Sequence, residues 1–278
     1  MTVLARLGAG GAPELVDLAT PLLRADDLGV ARGEAVFETL RIAAGRPAFL
    51  AAHVARLARS AARLDIPLPP GWEQLAQVAV EAHALPDGVL RLTCTKGPPG
   101  GEPVGFALAS PIPPEVLAGR EHGVRVVTLS GGVSADARAQ APWLLGGVKS
   151  TSYAVNMASL REAHDRGADD ALWVSSDGFV LEAPTATVAW VTGGTLVTPS
   201  AGDGILPGTT LETALGLSPV PYEVRRGTAQ ELRAADEVLL LSSVRGVAPV
   251  IALDGRELGI GLVTRVLRDA FEEAVRRP

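Results

Sequence analysis

Lysine is rare in this chain and occurs at only two positions. Among the 25 basic side chains of the 278 residues, only Lys96 and Lys149 are lysine, and arginine supplies the rest. A lysine amine can lose its proton and attack a carbonyl to form an imine, whereas a guanidinium stays protonated. Lys149 follows Gly146 and Gly147 and precedes three hydroxyl residues and Tyr153, where a helix is predicted to begin. Lys149 is therefore a candidate for imine chemistry, and a surface lysine at a loop–helix junction is the alternative.

A carboxylate that could cooperate with such an imine is Glu182. It ends the apolar run 179–181, which follows the predicted turn at Asp177 and Gly178. A carboxylate beside a pyridine nitrogen keeps that nitrogen protonated, and the protonated ring can then accept electrons from a neighbouring carbanion. A strand-end glutamate that faces solvent is the alternative interpretation.

Two segments could bind a phosphate group. Residues 204–210 lead into a predicted helix, so that free N–H groups, the helix dipole and the hydroxyls of Thr209 and Thr210 could converge on an anion. Residues 242–246 end a predicted strand with two hydroxyls in a turn. Plain N-capping by threonine and an ordinary polar loop are the respective alternatives. An amine, a carboxylate and a phosphate cup are together what pyridoxal phosphate requires, and this cofactor is predicted.

Other familiar sites do not fit the sequence. Pro13 stands where a dinucleotide-binding motif needs its third glycine, and Val148 stands where a phosphate loop needs glycine. The four histidines lack the spacing of metal ligands, so no metal site is predicted. A net charge of −6 without a basic run argues against nucleic-acid binding.

Composition predicts a soluble, cytoplasmic protein. Charged residues make up 20% of the chain, and its single cysteine fits a reducing compartment. The first residues lack the apolar stretch of a secretory signal. The uncharged window 183–202 contains prolines, a glycine pair and threonines, so it predicts a β-hairpin rather than a membrane span.

Helical and strand patterns alternate along the whole chain, which predicts an α/β (α+β) protein. The densest proline cluster, followed by polar residues, marks a domain boundary. We predict an N-terminal α/β domain at 1–110, an interdomain linker at 111–123, and a C-terminal α/β domain at 124–278 that carries the lysine.

The chain resembles the class IV (fold-type IV) pyridoxal-phosphate enzymes. These include branched-chain aminotransferases, D-amino-acid aminotransferases and aminodeoxychorismate lyases. The resemblance extends from Asp26 to Pro249 and rests on several short motifs in the same order. The motifs lie at residues 32–39, 53–57, 146–156, 178–182, 198–199, 204–210 and 242–249.

This resemblance implies a fold, an assembly and a set of roles. The fold consists of two α/β domains with the cofactor in the interdomain cleft, and the protein is usually a homodimer. Lys149 would be the Schiff-base lysine and proton shuttle, Glu182 would bind the pyridine nitrogen, and Tyr153 would lie near the ring hydroxyl. The phosphate would be bound by Arg56, Thr209, Thr210 and Ser243.

At some positions this sequence differs from the family patterns, and these differences bear on which substrate the protein binds. Where D-amino-acid aminotransferases hold the substrate carboxylate with a tyrosine and an arginine, the matching residues here are Phe37 and Lys96. Branched-chain enzymes place the tyrosine one position further from the lysine than Tyr153, and have asparagine where Thr187 stands. The segment 149–156 is most similar to that of bacterial aminodeoxychorismate lyases.

We therefore predict a 4-amino-4-deoxychorismate lyase that acts on a small amino substrate and gives p-aminobenzoate and pyruvate for folate biosynthesis. Two alternatives stay open. One is a class IV aminotransferase for branched-chain or D-amino acids, and the other is a non-catalytic protein that binds pyridoxal phosphate.

Overall fold

The computed structural model describes residues 1–277 of the chain and divides them into two compact units. Unit 1 contains residues 1–113 and 148–153, and unit 2 contains residues 114–147 and 154–277. Each unit has its own sheet and its own hydrophobic core.

Unit 1 is built on a six-stranded antiparallel sheet with the order β2-β1-β6-β5-β3-β4. Its strands are β1 (Val3–Leu7), β2 (Pro13–Val16), β3 (Ala35–Ala43), β4 (Arg46–Pro47), β5 (Gly88–Thr95) and β6 (Val104–Ser110). Its helices are α1 (Leu28–Ala31), α2 (Leu50–Ala62) and α3 (Trp72–His83).

The long strand β3 separates two environments within unit 1. Alternate residues of a strand face opposite sides of the sheet. Val36 and Leu40 share a buried cluster with Leu57 of α2, so this side of β3 faces the helix. Glu38 lies on the same side, whereas Phe37 points to the other.

Unit 2 contains an eight-stranded mixed sheet with the order β11-β10-β9-β12-β13-β7-β8, and β14 pairs with β13. Its strands are β7 (Val124–Ser130), β8 (Asp170–Val174), β9 (Thr187–Thr192), β10 (Thr195–Thr198), β11 (Tyr222–Val224), β12 (Glu237–Ser242), β13 (Gly246–Leu253) and β14 (Arg256–Glu257). Its helices are α4 (Pro114–His122), α5 (Ala137–Gln140), α6 (Ala154–Asp165), α7 (Thr209–Gly216), α8 (Ala229–Ala234) and α9 (Leu262–Arg276).

The core of unit 2 forms where apolar side chains of its central strands meet. Val188 and Trp190 of β9, Val238 and Leu240 of β12, and Val250 of β13 are all buried in one cluster. In these strands several apolar residues follow one another, and they do not alternate with polar residues. Such continuous apolar runs are expected for strands of a sheet that is covered on both faces.

Two details of the structure differ from the predicted division into domains. The segment expected to be a linker, 111–123, contains the nine-residue helix α4, which belongs to unit 2. The lysine segment, expected in the C-terminal domain, belongs to unit 1 at residues 148–153. The reason is backbone pairing, because Ser150 forms an antiparallel bridge with Val36 of β3.

Within residues 1–277, every helix is too short or too polar to span a membrane.

Candidate active site

The backbone of the lysine segment is fixed to β3 and α2 of unit 1. The N–H of Phe37 donates to the carbonyl of Lys149 at 3.0 Å, and the N–H of Thr151 donates to the carbonyl of Ala35 at 2.8 Å. The N–H of Lys149 donates to the hydroxyl of Ser60 at 3.2 Å. These bonds on both sides of Lys149 hold its Cα in place, so the amine is presented from a fixed position.

The side chain of Lys149 lies beside two aromatic rings. Its Nζ is 4.6 Å from the ring centroid of Phe37 and 6.0 Å from that of Tyr153. The two rings meet edge to face, with centroids 5.2 Å apart and planes at 87°. Phe37 is almost completely buried, at 3% exposure. The structure thus brings three of the predicted site residues together, with a half-buried amine against flat apolar surfaces.

Arg56 occupies a buried charge network on the helix side of β3. Its Nε and one terminal nitrogen each donate to a different carboxylate oxygen of Glu38, both at 2.7 Å. Nδ1 of His53 lies 2.7 Å from the same carboxylate. All three side chains are at most 5% exposed. This fork-like pairing fixes the guanidinium plane, whereas Arg59 and Arg63 of the same helical segment are exposed. The predicted contact of Arg56 with phosphate stays a prediction.

The charge states of this network follow from competition between burial and hydrogen bonding. Burial acts to raise the pKa of Glu38, but the bonds from Arg56 and His53 outweigh it and lower the pKa to about 2. Burial lowers the pKa of His53, against the opposing influence of Glu38. At neutral pH, Glu38 is therefore a carboxylate and His53 a neutral ring. Since a carboxylate only accepts, we assign the proton of His53 to Nδ1.

Lys96 has structural partners in unit 1. Its ammonium donates to Glu34 at 2.5 Å and to the carbonyl of Leu64 at 3.1 Å. These bonds tie together segments that are far apart in the chain. The suggested role of Lys96 with substrate stays a prediction, and the structure gives it a different task.

Arg91 of β5 was not among the predicted site residues, yet it lies against one of them. Its guanidinium carbon is 3.8 Å from the ring centroid of Phe37. The strand register explains this contact, because Thr93 pairs with Phe37 and Arg91 is the next residue on the same face. Arg91 is half-buried, and burial lowers its pKa. Sequence alternation alone suggests a solvated arginine, so only the register reveals the contact.

Glu182 is positioned within unit 2 by pairing with the end of β8. The N–H of Trp173 donates to the Glu182 carbonyl at 3.0 Å, and the N–H of Leu181 donates to the Trp173 carbonyl at 2.9 Å. The carboxylate accepts from the N–H of Leu206 at 3.2 Å and from Arg138 at 3.3 Å. Its side chain is 14% exposed, so the solvent-facing alternative does not hold.

The predicted phosphate-binding residues in unit 2 lie at a helix N-terminus and in a hairpin loop. Thr209 and Thr210 begin α7 and are almost completely buried. Gly208 is the N-cap, and its missing side chain leaves the first turn of α7 without a side-chain cap. N–H groups at such an end favour an anion. Ser243 lies in the loop that joins β12 to β13, and it is half-buried.

These donor sets fit pyridoxal phosphate chemically. Unit 1 supplies an amine beside aromatic surfaces, and unit 2 supplies a partly buried carboxylate and a helix N-terminus without a side-chain cap. Two α/β units with these groups are the features of a fold-type IV pyridoxal-phosphate enzyme.

Comparison with known proteins identifies the family. The sequence profile of the family "Amino-transferase class IV" matches residues 35–253, and the chain belongs to this family. The chain is 38% identical, over 94% of its length and 96% of the relative's, to a Mycobacterium tuberculosis protein named "Bifunctional aminodeoxychorismate lyase / D-amino acid transaminase".

Solved structures agree with this placement. A fold IV transaminase from Curtobacterium pusillum has a TM-score of 0.92 and 37% identity over the whole of both chains. The pyridoxal-phosphate-bound form of a hypothetical aminotransferase from Mycobacterium tuberculosis has a TM-score of 0.92 and 36% identity, with 98% of each chain covered. The predicted fold class and the predicted cofactor are thereby confirmed: the chain is a pyridoxal-phosphate-dependent enzyme of class IV.

Proposed function

We propose that the chain is a 4-amino-4-deoxychorismate lyase, which releases p-aminobenzoate and pyruvate for folate biosynthesis. The observation that carries the proposal is the 38% identity to a relative whose name includes this activity. The aromatic surroundings of Lys149 support it, because Phe37 and Tyr153 offer apolar faces to a substrate ring.

The residues of the chain would hold the cofactor at three places. Lys149 would bind it covalently through its amine, and Glu182 would bind the ring nitrogen, with Tyr153 near the ring hydroxyl. The phosphate would be held by Arg56, Thr209, Thr210 and Ser243. When bound, pyridoxal phosphate withdraws electrons from the substrate carbon that bears the amine, so that a proton can leave this carbon.

Lys149 is the proposed base of the reaction. With its amine free, Lys149 would take the proton from the ring carbon that bears the substrate nitrogen. The bond from the neighbouring ring carbon to the enolpyruvyl oxygen then breaks, and the ring becomes aromatic. The leaving group takes up one proton at its methylene carbon and becomes pyruvate. One proton is removed and one is returned, so the reaction consumes no keto acid.

A product assay tests this proposal. Purified, cofactor-loaded protein is mixed with aminodeoxychorismate alone, and p-aminobenzoate and pyruvate are quantified. We expect equal amounts of both products over many turnovers. If p-aminobenzoate does not form, the lyase assignment is wrong.

D-Amino-acid transamination is the second candidate function, because the name of the same relative includes it. The test is amino-group exchange between D-alanine and 2-oxoglutarate, followed by chiral chromatography of the products. A homodimer and a cytoplasmic location, which the sequence also predicted, stay predictions.

A further inference from the structure

The hairpin loop that carries Ser243 is tied by an ion pair to a strand that is not its neighbour in the sheet. Ser242 of β12 pairs with Gly246 of β13, and both Ser243 and Arg245 lie in the loop between them. The guanidinium of Arg245 donates to the carboxylate of Asp170 at 2.7 Å. Asp170 begins β8, and β7 lies between β13 and β8. The ion pair thus fixes the loop across the width of one strand.

Burial distinguishes this ion pair from others in unit 2. The side chain of Asp170 is completely buried and that of Arg245 is 17% exposed, whereas the side chains of Arg233 and Asp254 in another pair are 50% and 26% exposed. The cost of removing two charges from water offsets much of their attraction, so a buried pair is weak evidence for added stability. A role in fixing the loop explains the pair better.

A second arginine holds the backbone of the same loop. Arg120 of α4 donates to the carbonyl of Val244, which lies between Ser243 and Arg245. One arginine therefore holds the loop by its backbone, and the other holds it by its own side chain. A loop that is already ordered binds a ligand more tightly than a mobile one, because less conformational entropy is lost on binding.

We infer that Asp170 and Arg245 are positioning residues, which hold this loop so that the hydroxyl of Ser243 is presented to the phosphate of the cofactor. Asp170 acts through Arg245, and Arg245 acts through the backbone of the loop. This inference rests on the proposed function in one respect, namely the proposed role of Ser243 in binding phosphate.

Two ligands that differ in the phosphate group test the inference. Cofactor-free protein is titrated with pyridoxal phosphate and with pyridoxal, and the ratio of the two affinities measures how well the phosphate is held. We expect Arg245→Gln and Asp170→Asn each to lower this ratio about tenfold, the size of one hydrogen bond to a charged group. General damage to the fold would lower both affinities alike. An unchanged ratio in Arg245→Gln overturns the inference.

The double variant shows whether the two residues act through each other. We expect Asp170→Asn combined with Arg245→Gln to lower the ratio about as much as either change alone, because either one already releases the loop. Arg245→Lys keeps the charge and should retain part of the ratio. A loss in Arg245→Gln with an unchanged ratio in Asp170→Asn contradicts the inference, because Arg245 would then bind phosphate without the help of Asp170.

Arg233→Gln is the matched control, since it breaks the ion pair with Asp254, which lies outside this loop in the same unit. We expect this variant to keep the wild-type ratio. Ser243→Ala tests the role on which the inference rests. If it leaves the ratio unchanged, the proposed role of Ser243 and this inference both fail. If it lowers the ratio and Arg245→Gln does not, this inference alone fails. The titrations do not depend on p-aminobenzoate release, so failure of the lyase proposal remains distinguishable from failure of this one.

Discussion

At the scale of single residues, the amine of Lys149 is the group whose role can be tested most directly. Reduction of cofactor-loaded protein with borohydride should fix the cofactor irreversibly on Lys149, since only a lysine amine in this setting forms an imine. Peptide mapping by mass spectrometry should find the adduct there. Lys96→Arg is the matched control and should still carry it. An adduct on Lys96 would refute the assignment.

Glu38 should make stability depend on acidity. Its pKa is lowered to about 2 in the folded state from an ordinary value of 4.5, so the unfolded chain binds the proton more readily. The contribution of Glu38 is fully present above pH 4.5 and is lost as pH falls toward 2. Linkage gives it a size of roughly 3 kcal/mol. The lowered pKa of His53 acts in the same direction below 6.5.

Urea unfolding at a series of pH values tests this expectation. Glu38→Gln should lower the free energy of unfolding at pH 7 by about 3–5 kcal/mol, because Arg56 loses its buried counter-ion. It should also flatten the decline between pH 4.5 and 2. Glu14→Gln removes an exposed carboxylate and should leave that decline intact. An unchanged acid profile in Glu38→Gln would show that Glu38 does not set it.

Residue types predicted the chemistry of the site better than they predicted its contacts. Lys149 and Glu182 could be proposed as site residues because imine formation and ring protonation each require one particular functional group. The contact of Lys96 with Glu34 could not be predicted, because the two residues are distant in the chain. Arg91 was missed for a related reason, since only the pairing of β5 with β3 places it over Phe37.

At the scale of elements, the N-terminus of α7 is the predicted anchor for phosphate. Thr210→Val removes a buried hydroxyl from its first turn, and we expect apparent cofactor affinity to fall about tenfold to hundredfold, because a hydrogen bond to a charged group is lost. Fluorescence titration of the cofactor-free protein measures this. Thr213→Val is the matched control one turn further along, where the hydroxyl donates to the carbonyl of Thr209. Equal losses in both variants would indicate damage to the helix instead.

The elements themselves were predictable where the pattern was long. Strand β3 is an example, because four of its nine residues are β-branched or aromatic and such residues favour a strand. Helix α4 was missed because proline at its start and few apolar residues resemble a linker. The lysine segment was placed in the wrong part of the fold, because its backbone bonds to β3 are long-range and leave no local pattern.

At the scale of the whole molecule, both proposed activities would use the same lysine, and this makes them compete. D-Alanine alone would leave its amino group on the cofactor, and the protein would then be unable to bind the next amine. We therefore expect preincubation with D-alanine to slow the formation of p-aminobenzoate from aminodeoxychorismate. Adding 2-oxoglutarate should restore the rate, because the keto acid removes the stored amino group.

The competition is measured by following p-aminobenzoate fluorescence after preincubation with D-alanine, L-alanine or buffer. L-Alanine is the matched control, since it differs only in configuration and should not slow a D-specific site. Pyruvate should also relieve the block, because it accepts the amino group to regenerate D-alanine, so release of the lyase product would make the inhibition fade with time. If D-alanine leaves the rate unchanged while p-aminobenzoate forms steadily, the chain is a lyase without D-transaminase activity. If D-alanine exchanges its amino group and p-aminobenzoate never forms, the chain is an aminotransferase.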